Sequence, residues 1–312
     1  MYQEISFPSL GISFNPSREA FFIGSKPIYW YGIIIAVGFL LAVLYAIRRS
    51  RQFGLTQDNI IDMLICAVPS AVVCARLYYC IFRWDIYGDN PVSLLYVWEG
   101  GLAIYGGVIG AVAAVIIFTK VTKIKTSAML DIGGLGLLIG QCIGRWGNFI
   151  NREAHGGLTD SFLRMGLTDA AGNTVYVHPT FLYESLWNLL GFLVLHFYSK
   201  RRKYDGQVFV MYLGWYGLGR VFIEGLRTDS LYVGGTNLRV SQLVAGLCVV
   251  FAAVFLFYNK VFREHDPADL YVNRPQDTEP SADEAPGSAP ETEEAEEIER
   301  TESGESEPQE KQ

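Results

Sequence analysis

Three stretches of nineteen residues carry no charge at all: 29–47 (YWYGIIIAVGFLLAVLYAI), 101–119 (GLAIYGGVIGAVAAVIIFT) and 240–258 (VSQLVAGLCVVFAAVFLFY). At 1.5 Å rise per residue, roughly 20 apolar residues carry a helix across the hydrocarbon core of a bilayer. A helix on the surface of a soluble protein of that length would keep a polar face. Four further apolar blocks, at about 60–82, 127–150, 181–198 and 207–224, each contain ionisable residues. The pattern predicts an all-α polytopic membrane protein with about seven transmembrane helices.

Charge supplies the orientation. Arg48, Arg49 and Arg51 follow the first block, and Lys120, Lys123 and Lys125 the third. Lys200, Arg201, Arg202 and Lys203 follow the fifth, and Lys260 and Arg263 the seventh. These four segments hold twelve Lys or Arg, against six in residues 1–28 and the loops near 83–100, 151–180 and 225–238. The excess of basic residues on cytoplasmic loops then sets the N-terminus outside and the C-terminus in the cytoplasm.

The net charge of −7 is an average of two unlike parts: residues 264–312 contain 17 acidic and 3 basic residues, whereas the preceding chain carries a surplus of +7. Three regions are expected: an extracytoplasmic arm over 1–28, a seven-helix membrane domain over 29–262, and an acidic, disordered cytoplasmic tail over 263–312. Residues 268–312, rich in Glu, Pro and Ser, lack the apolar mass to bury a core, so truncation after Phe262 is expected to leave activity nearly intact. Within the loop at about 151–180, Asp169-Ala170-Ala171-Gly172-Asn173 followed by Thr174-Val175-Tyr176-Val177 reads as a turn entering a strand, and hence a small hairpin head. The five cysteines, Cys66, Cys74, Cys80, Cys142 and Cys248, fall inside apolar blocks and read as small core residues. The first apolar block begins late and is followed by its basic cluster, which is not the pattern of a cleavable signal peptide.

A charge near the bilayer centre costs at least ~2.5 kcal/mol, so the ionisable residues in the apolar blocks need a reason. With the orientation above, Arg76, Arg145, Arg220, Glu224, Tyr31, Tyr105 and Glu184 share one level near the outer face, while Asp62 and Asp131 lie toward the cytoplasm. A shared polar site explains the set better than separate snorkelling of each residue. Arg220 and Glu224 stand one helical turn apart, where they can pair. Arg145 belongs to the run Gly144-Arg145-Trp146-Gly147-Asn148-Phe149-Ile150-Asn151-Arg152-Glu153-Ala154-His155-Gly156-Gly157. Glycines there let backbone approach a ligand, Asn offers donors and acceptors, and Arg presents a fork to phosphate oxygens.

That run resembles the signature of the prolipoprotein diacylglyceryl transferase family, Gly-Arg-x-Gly/Ala-Asn-Phe-apolar-Asn-x-Glu-x-x-Gly. Further likeness lies in Tyr29-Trp30-Tyr31-Gly32, Trp98-Glu99-Gly100-Gly101, His178-Pro179-Thr180 with Leu182-Tyr183-Glu184, and Gly219 through Glu224 continuing to Arg227. One position departs from it: a His-Gly-Gly motif often opens the third span of the family, and here it is Tyr105-Gly106-Gly107. A mechanism that requires that His as general base does not carry over, because tyrosine, with an ordinary pKa near ~10, is a poor base at neutral pH.

The resemblance implies a transferase of lipoprotein biosynthesis, integral to the bacterial cytoplasmic membrane. It would move the diacylglyceryl group of phosphatidylglycerol to the lipobox cysteine of a prolipoprotein signal peptide, a protein lipidation that releases glycerol phosphate. It implies Arg145, Tyr105, Glu153 and Tyr31 in catalysis, with Glu153 and Tyr105 as alternatives for thiol deprotonation. Arg145, Asn148, Arg220, Glu224, Gly156 and Gly157 would bind phosphatidylglycerol. His178, Glu184, Arg227 and Asn151 would line or support the site. No cofactor, no metal and no nucleic acid is implied, since no His/Asp cluster has ligand spacing. An anionic-solute transporter is the rival class, but such a protein places its site near the midplane between repeated halves; the charges here sit near one face, and no internal repeat is seen. An intramembrane serine protease would need a nucleophilic Ser and a His in the membrane, and no such pair is apparent.

Overall fold

The computed structural model describes residues 2–88, 91–97, 100–228, 232, 236 and 238–274; Trp98 and Glu99 of the motif above, and the acidic tail beyond Arg274, lie outside the described residues. Four strands come first: β1 (Tyr2–Phe7), β2 (Ile12–Phe14), β3 (Glu19–Ile23) and β4 (Lys26–Tyr29). Helices α1 (Trp30–Arg49), α2 (Gln57–Phe82), the four-residue α3 (Trp84–Tyr87), α4 (Ile104–Val121) and α5 (Thr126–Asn151) follow. Strands β5 (Met165–Asp169) and β6 (Thr174–Val177) separate α5 from α6 (Thr180–Tyr198), α7 (Gln207–Glu224) and α8 (Val240–Phe262).

Among the described residues, five helical segments are long and apolar enough to cross a membrane: Trp30–Phe53, Gln57–Phe82, Ile104–Val121, Thr126–Asn151 and Val240–Phe262. Helices α6 and α7 have 19 and 18 residues but carry Glu184, Asn188 and His196, and Gln207, Arg220 and Glu224. Apolar side chains such as Ile117, Leu247, Val254 and Phe257 stand outward along their helices, each more than half exposed, a surface that lipid covers without cost. Cys66 stands outward as well, which corrects its reading as a core residue: it is exposed, whereas Cys80 is buried.

Helix α5 is central, packed by α1, α6 and α7, while α2 pairs chiefly with α4 and α7 with α8. Lipid removes the hydrophobic drive between helices, so they associate through close contact at small residues. Gly144 faces Ile35, and the Tyr31 ring lies on Gly147, bringing α1 onto α5. Gly106 and Gly110 of α4 sit against the α2 backbone at Cys74 and Ser70, leaving no room for a Cβ. Part of the glycine content that suggests ligand approach is therefore helix packing.

A four-stranded sheet in the order β2-β1-β5-β6 caps one end of the bundle. Strand β1 pairs antiparallel with β5, with Ile5 opposite Leu167. Ile5, Phe7, Met165, Leu167 and Val177 form one cluster with Phe149 of α5 and Phe181 of α6. The β5–β6 turn is closed by Asp169, whose carboxylate accepts the Ala171 and Asn173 N–H groups at 2.9 Å. The Asn173 amides, backbone then side chain, hold that carboxyl below the ordinary aspartate range.

At the opposite end, Asp131 of α5, fully buried, accepts the N–H groups of Gly206 and Phe209 at 2.8 Å. It thereby supplies across helices the cap that α7 lacks in its own sequence. The chain after α8 turns back beneath this end in two 3-10 turns, Pro267–Asp269 and Tyr271–Asn273. The Tyr271 N–H donates to Asp205 at 2.8 Å. The backbone at Tyr271 and Val272 presses on Gly54 so closely that a Cβ there would lie 2.8 Å away. Residues 268–274 thus depart from the expected unstructured tail: polar anchors and the packing of Tyr271 on the apolar core order them.

This packing makes the returning segment a contributor to stability. A chain ending after Arg274 is expected to melt with the full-length protein in detergent. One ending after Phe262 should lose the contacts of Tyr271 and Val272 and melt ~2–8 °C lower, the shift that ~1–2 kcal/mol produces in a domain of this size. Equal melting of the two truncated chains would show that the returning segment holds nothing.

Candidate active site

Glu184 lies in the second turn of α6, with 3% of its side chain exposed. A carboxylate at that depth requires cations, and three segments supply them. The Arg145 guanidinium of α5 approaches to 2.5 Å, that of Arg220 of α7 to 3.1 Å, and that of Arg227, just beyond α7, to 3.6 Å. Arg220 also bonds Glu224 across one helical turn. Among the described residues, three guanidiniums thus gather around two carboxylates. Arg145 keeps the largest share of its side chain exposed, 20% against 14% and 13% for Arg220 and Arg227.

The register of α6 on α7, which sets this cluster, comes from two tryptophans. The Trp187 Nε1–H donates to the Trp215 carbonyl at 2.9 Å, and the Trp215 Nε1–H returns to the Trp187 carbonyl at 3.0 Å. The indoles stack with centroids 4.6 Å apart. The Trp215 ring occupies the space over Gly191, and the Trp187 ring that over Gly219, the residue before Arg220. These residues are absent from the sequence-derived site, although a signal exists: both helices carry Trp-x-x-x-Gly, at Trp187/Gly191 and Trp215/Gly219. Asn188, 1% exposed, borders with Glu184 and Arg220 a void of about 10 Å³.

The end of α5 extends the network. Arg145 donates to the Asn148 side-chain oxygen at 3.4 Å, while Asn148 and Asn151 donate to one oxygen of Glu153 at 3.0 and 3.3 Å. Arg152 and Ala154, on either side of Glu153, take left-handed φ angles of 57° and 55°, a conformation that costs a residue with a Cβ about 1–2 kcal/mol. Surrounding bonds hold them there. Arg152 donates to the carbonyls of Gln3 at 2.5 Å and Pro16 at 2.7 Å, and Thr180 to that of Ala154 at 2.5 Å. Arg18 adds a bond to the Asn151 carbonyl at 2.7 Å. The N-terminal strands are in this way tied to the polar end of α5 through Arg152 and Arg18, neither of which the sequence reading selected.

Gly156 and Gly157 have a different part from ligand approach. The Gly156 N–H donates to the His178 carbonyl at 2.9 Å and the Gly157 N–H to that of Leu226 at 2.8 Å. With Gly156 bridged to Arg227, they fix the segment carrying the third guanidinium, and their donors are already used. His178 reaches the Tyr183 hydroxyl at 3.4 Å. Tyr31 packs on Gly147 beside the network. Tyr105, 40% exposed on α4, makes no hydrogen bond to the cluster among the described residues. Arg76 takes no part in the cluster: it is 4% exposed, donates to the carbonyls of Ser93, Leu94, Gly100 and Gly101, and stacks on Tyr87. Its role is to hold the loop between α3 and α4.

Apolar helices around a buried, hydrogen-bonded cluster of arginines and carboxylates at one end of the bundle define a membrane protein with a polar site. Residues 18–258 match the pattern of the family described as prolipoprotein diacylglyceryl transferase, and the chain belongs to that family. Curated relatives include the phosphatidylglycerol--prolipoprotein diacylglyceryl transferases of Bacillus velezensis, 42% identical over 80% of this chain and 94% of the relative, and of Bacillus cytotoxicus, 44% identical over 78% and 92%. That of Lysinibacillus sphaericus is 42% identical over 81% and 95%.

The tryptophan pair can be tested through its glycines. Gly219→Ala forces the Trp187 indole to move, and overpacking of this kind costs about 1–3 kcal/mol, so the detergent melting temperature should fall. Gly140→Ala, with nothing within 4 Å of the added carbon, should leave it unchanged or raise it. Equal melting of the two variants would remove the indoles as the source of register.

Proposed function

We propose that this chain transfers the diacylglyceryl group of phosphatidylglycerol to the lipobox cysteine thiol of prolipoproteins, the first step of lipoprotein maturation. The observation that carries the reading is the convergence of the Arg145, Arg220 and Arg227 guanidiniums on one buried carboxylate, Glu184, in a chain of this family. Phosphatidylglycerol is the named substrate of the relatives.

The substrate supplies its own nucleophile, so the protein's task is to align a thiol with a phosphodiester and to stabilise the departing phosphate. The thiol sulfur attacks the glyceryl carbon that bears the phosphate. A C–S bond forms, the C–O bond breaks, and the electron pair leaves on glycerol phosphate. Arg145 takes the phosphate as its charge grows, Arg220 supports it, and Asn148 orients the headgroup. Glu153 accepts the thiol proton: it lies in one hydrogen-bonded line with Asn148 and Arg145, whereas Tyr105 has no such link. Tyr31 borders the reacting groups. Glu184, Glu224 and Arg227 hold the guanidiniums in place, and Asn151 and His178 support the wall.

In this reading all seven long helices span a bacterial cytoplasmic membrane, with residues 1–28 and the head at about 151–180 outside and the chain beyond 263 in the cytoplasm. Arg145 is six residues from the end of α5, about 9 Å along the axis, so the site opens toward the outer leaflet and not at a transporter's midplane.

Incubation with phosphatidylglycerol and a lipobox peptide, followed by mass analysis, should yield the thioether-linked peptide. Arg145→Lys keeps the charge and removes the planar fork; turnover should fall ~10–1000-fold at unchanged melting temperature. Glu184→Gln removes the carboxylate that Arg145, Arg220 and Arg227 share, leaving Arg220 its bond to Glu224; it should lower turnover and melting temperature together, since stripping one side of a buried ion cluster costs about 3–5 kcal/mol. Near-normal turnover of the lysine variant would take Arg145 out of the site.

A further inference from the structure

Away from the arginine cluster, a cavity of about 240 Å³ opens between the α6–α7 turn, the start of α5, the adjacent end of α8 and the returning segment. Lys125 immediately precedes α5 and Arg145 lies near its other end. At 1.5 Å per residue the two are about 30 Å apart, close to the thickness of the hydrocarbon core. The cavity therefore faces the leaflet opposite the arginine cluster.

Its charged groups fall into two kinds. Lys125 is engaged within the fold, 2.9 Å from Asp205 and 3.2 Å from the Asp269 carbonyl. Asp205 is occupied in turn by Lys125 and the Tyr271 N–H. Lys203 and Arg263 line the cavity with no carboxylate partner among the described residues, and Asp269 is a second acid on the wall beside Asp205. Tyr204 adds a hydroxyl whose pKa burial pushes up to about 12, so it stays a donor. Its ring stacks on His265 at 4.4 Å, and His265 Nε2 meets the Asn259 carbonyl at 3.0 Å. Phe255 gives an apolar side, continuous with the outward face of α8 at Phe251, Val254, Tyr258 and Phe262. Basic residues that only set topology need not converge on one cavity beside a hydroxyl and an apolar ridge.

We infer that this cavity binds the phosphate of an anionic phospholipid from the leaflet opposite the arginine cluster. Lys203 and Arg263 contact the phosphate oxygens, Tyr204 donates to the headgroup, and the acyl chains run along the outward face of α8. Free phosphate shares the charge chemistry but would leave the apolar ridge unused. The inference stands apart from the reaction proposed above, because it concerns neither Arg145 nor its neighbours.

The test uses full-length protein in mixed micelles with phosphatidylglycerol carrying a photoreactive headgroup, followed by peptide mapping. Peptides containing Lys203–Tyr204 and Asn259–His265 should be labelled, as a site distinct from any labelling near Arg145. In Lys203→Gln/Arg263→Gln the label on those peptides should fall about tenfold or more, the loss that two interfacial cations predict. Lys203→Arg/Arg263→Lys, which keeps both charges, should retain it and controls for folding. A phosphatidylcholine probe should not label the cavity, and excess inorganic phosphate should not displace the lipid. Undiminished labelling in the charge-removed variant, equal labelling by phosphatidylcholine, or displacement by inorganic phosphate would each overturn the assignment.

Discussion

Glu184 holds three guanidiniums at a depth where none of the four charges would be tolerated alone. The arginines come from α5, from α7 and from the turn after α7, so the cost of unpaired charge in an apolar surrounding fixes the mutual placement of these segments. Every other feature at this end adjusts to that requirement. The indole exchange between Trp187 and Trp215 sets α6 on α7 at the height where Glu184 meets Arg220. The backbone bonds of Gly156 and Gly157 bring Arg227 within reach.

Helix α5 is joined to its neighbours by charge at both ends. At one end Arg145 meets Glu184 of α6, and at the other Asp131 caps α7. Between them, Gly134 packs on Tyr212 of α7 and Gly144 on Ile35 of α1. Polar anchors at the ends and close packing between give the helix little freedom to slide or turn. A site whose work is to stabilise developing charge benefits from such rigidity, because its dipoles need no reorganisation as the reaction proceeds.

Much of this was legible in the sequence, for reasons particular residues make clear. Uncharged runs of nineteen residues leave a chain few alternatives to membrane helices, and the Gly144–Gly157 run carries the family. That Arg145, Arg220 and Glu224 would lie at one height followed from helix rise and alternating direction. The sequence did not disclose Glu184 as the centre, because spacing reveals partners on one helix, such as Arg220 and Glu224, and not partners on two others. Arg76 has the same composition and depth, yet its donors go to loop carbonyls of residues 93–101, a bond pattern no side-chain spacing records. Residues 268–274 were read as unstructured because they are poor in apolar mass. Their order comes from backbone contact with Asp205 and Gly54, which composition does not register.

The pairing of β1 with β5 has a consequence for how the molecule is made. Ile5 lies opposite Leu167 in the sheet, so the first strand to leave the ribosome meets its partner only after about 160 further residues. At common synthesis rates that is a wait of roughly 10–30 s, long against the microseconds in which a hairpin closes. During that interval β1 presents an open edge, and Arg152, whose bonds to Gln3 and Pro16 will secure the arm, has not yet been added for most of it. Assembly therefore closes backward: the last turns of α5 and the hairpin after it call in the strand that was synthesised first.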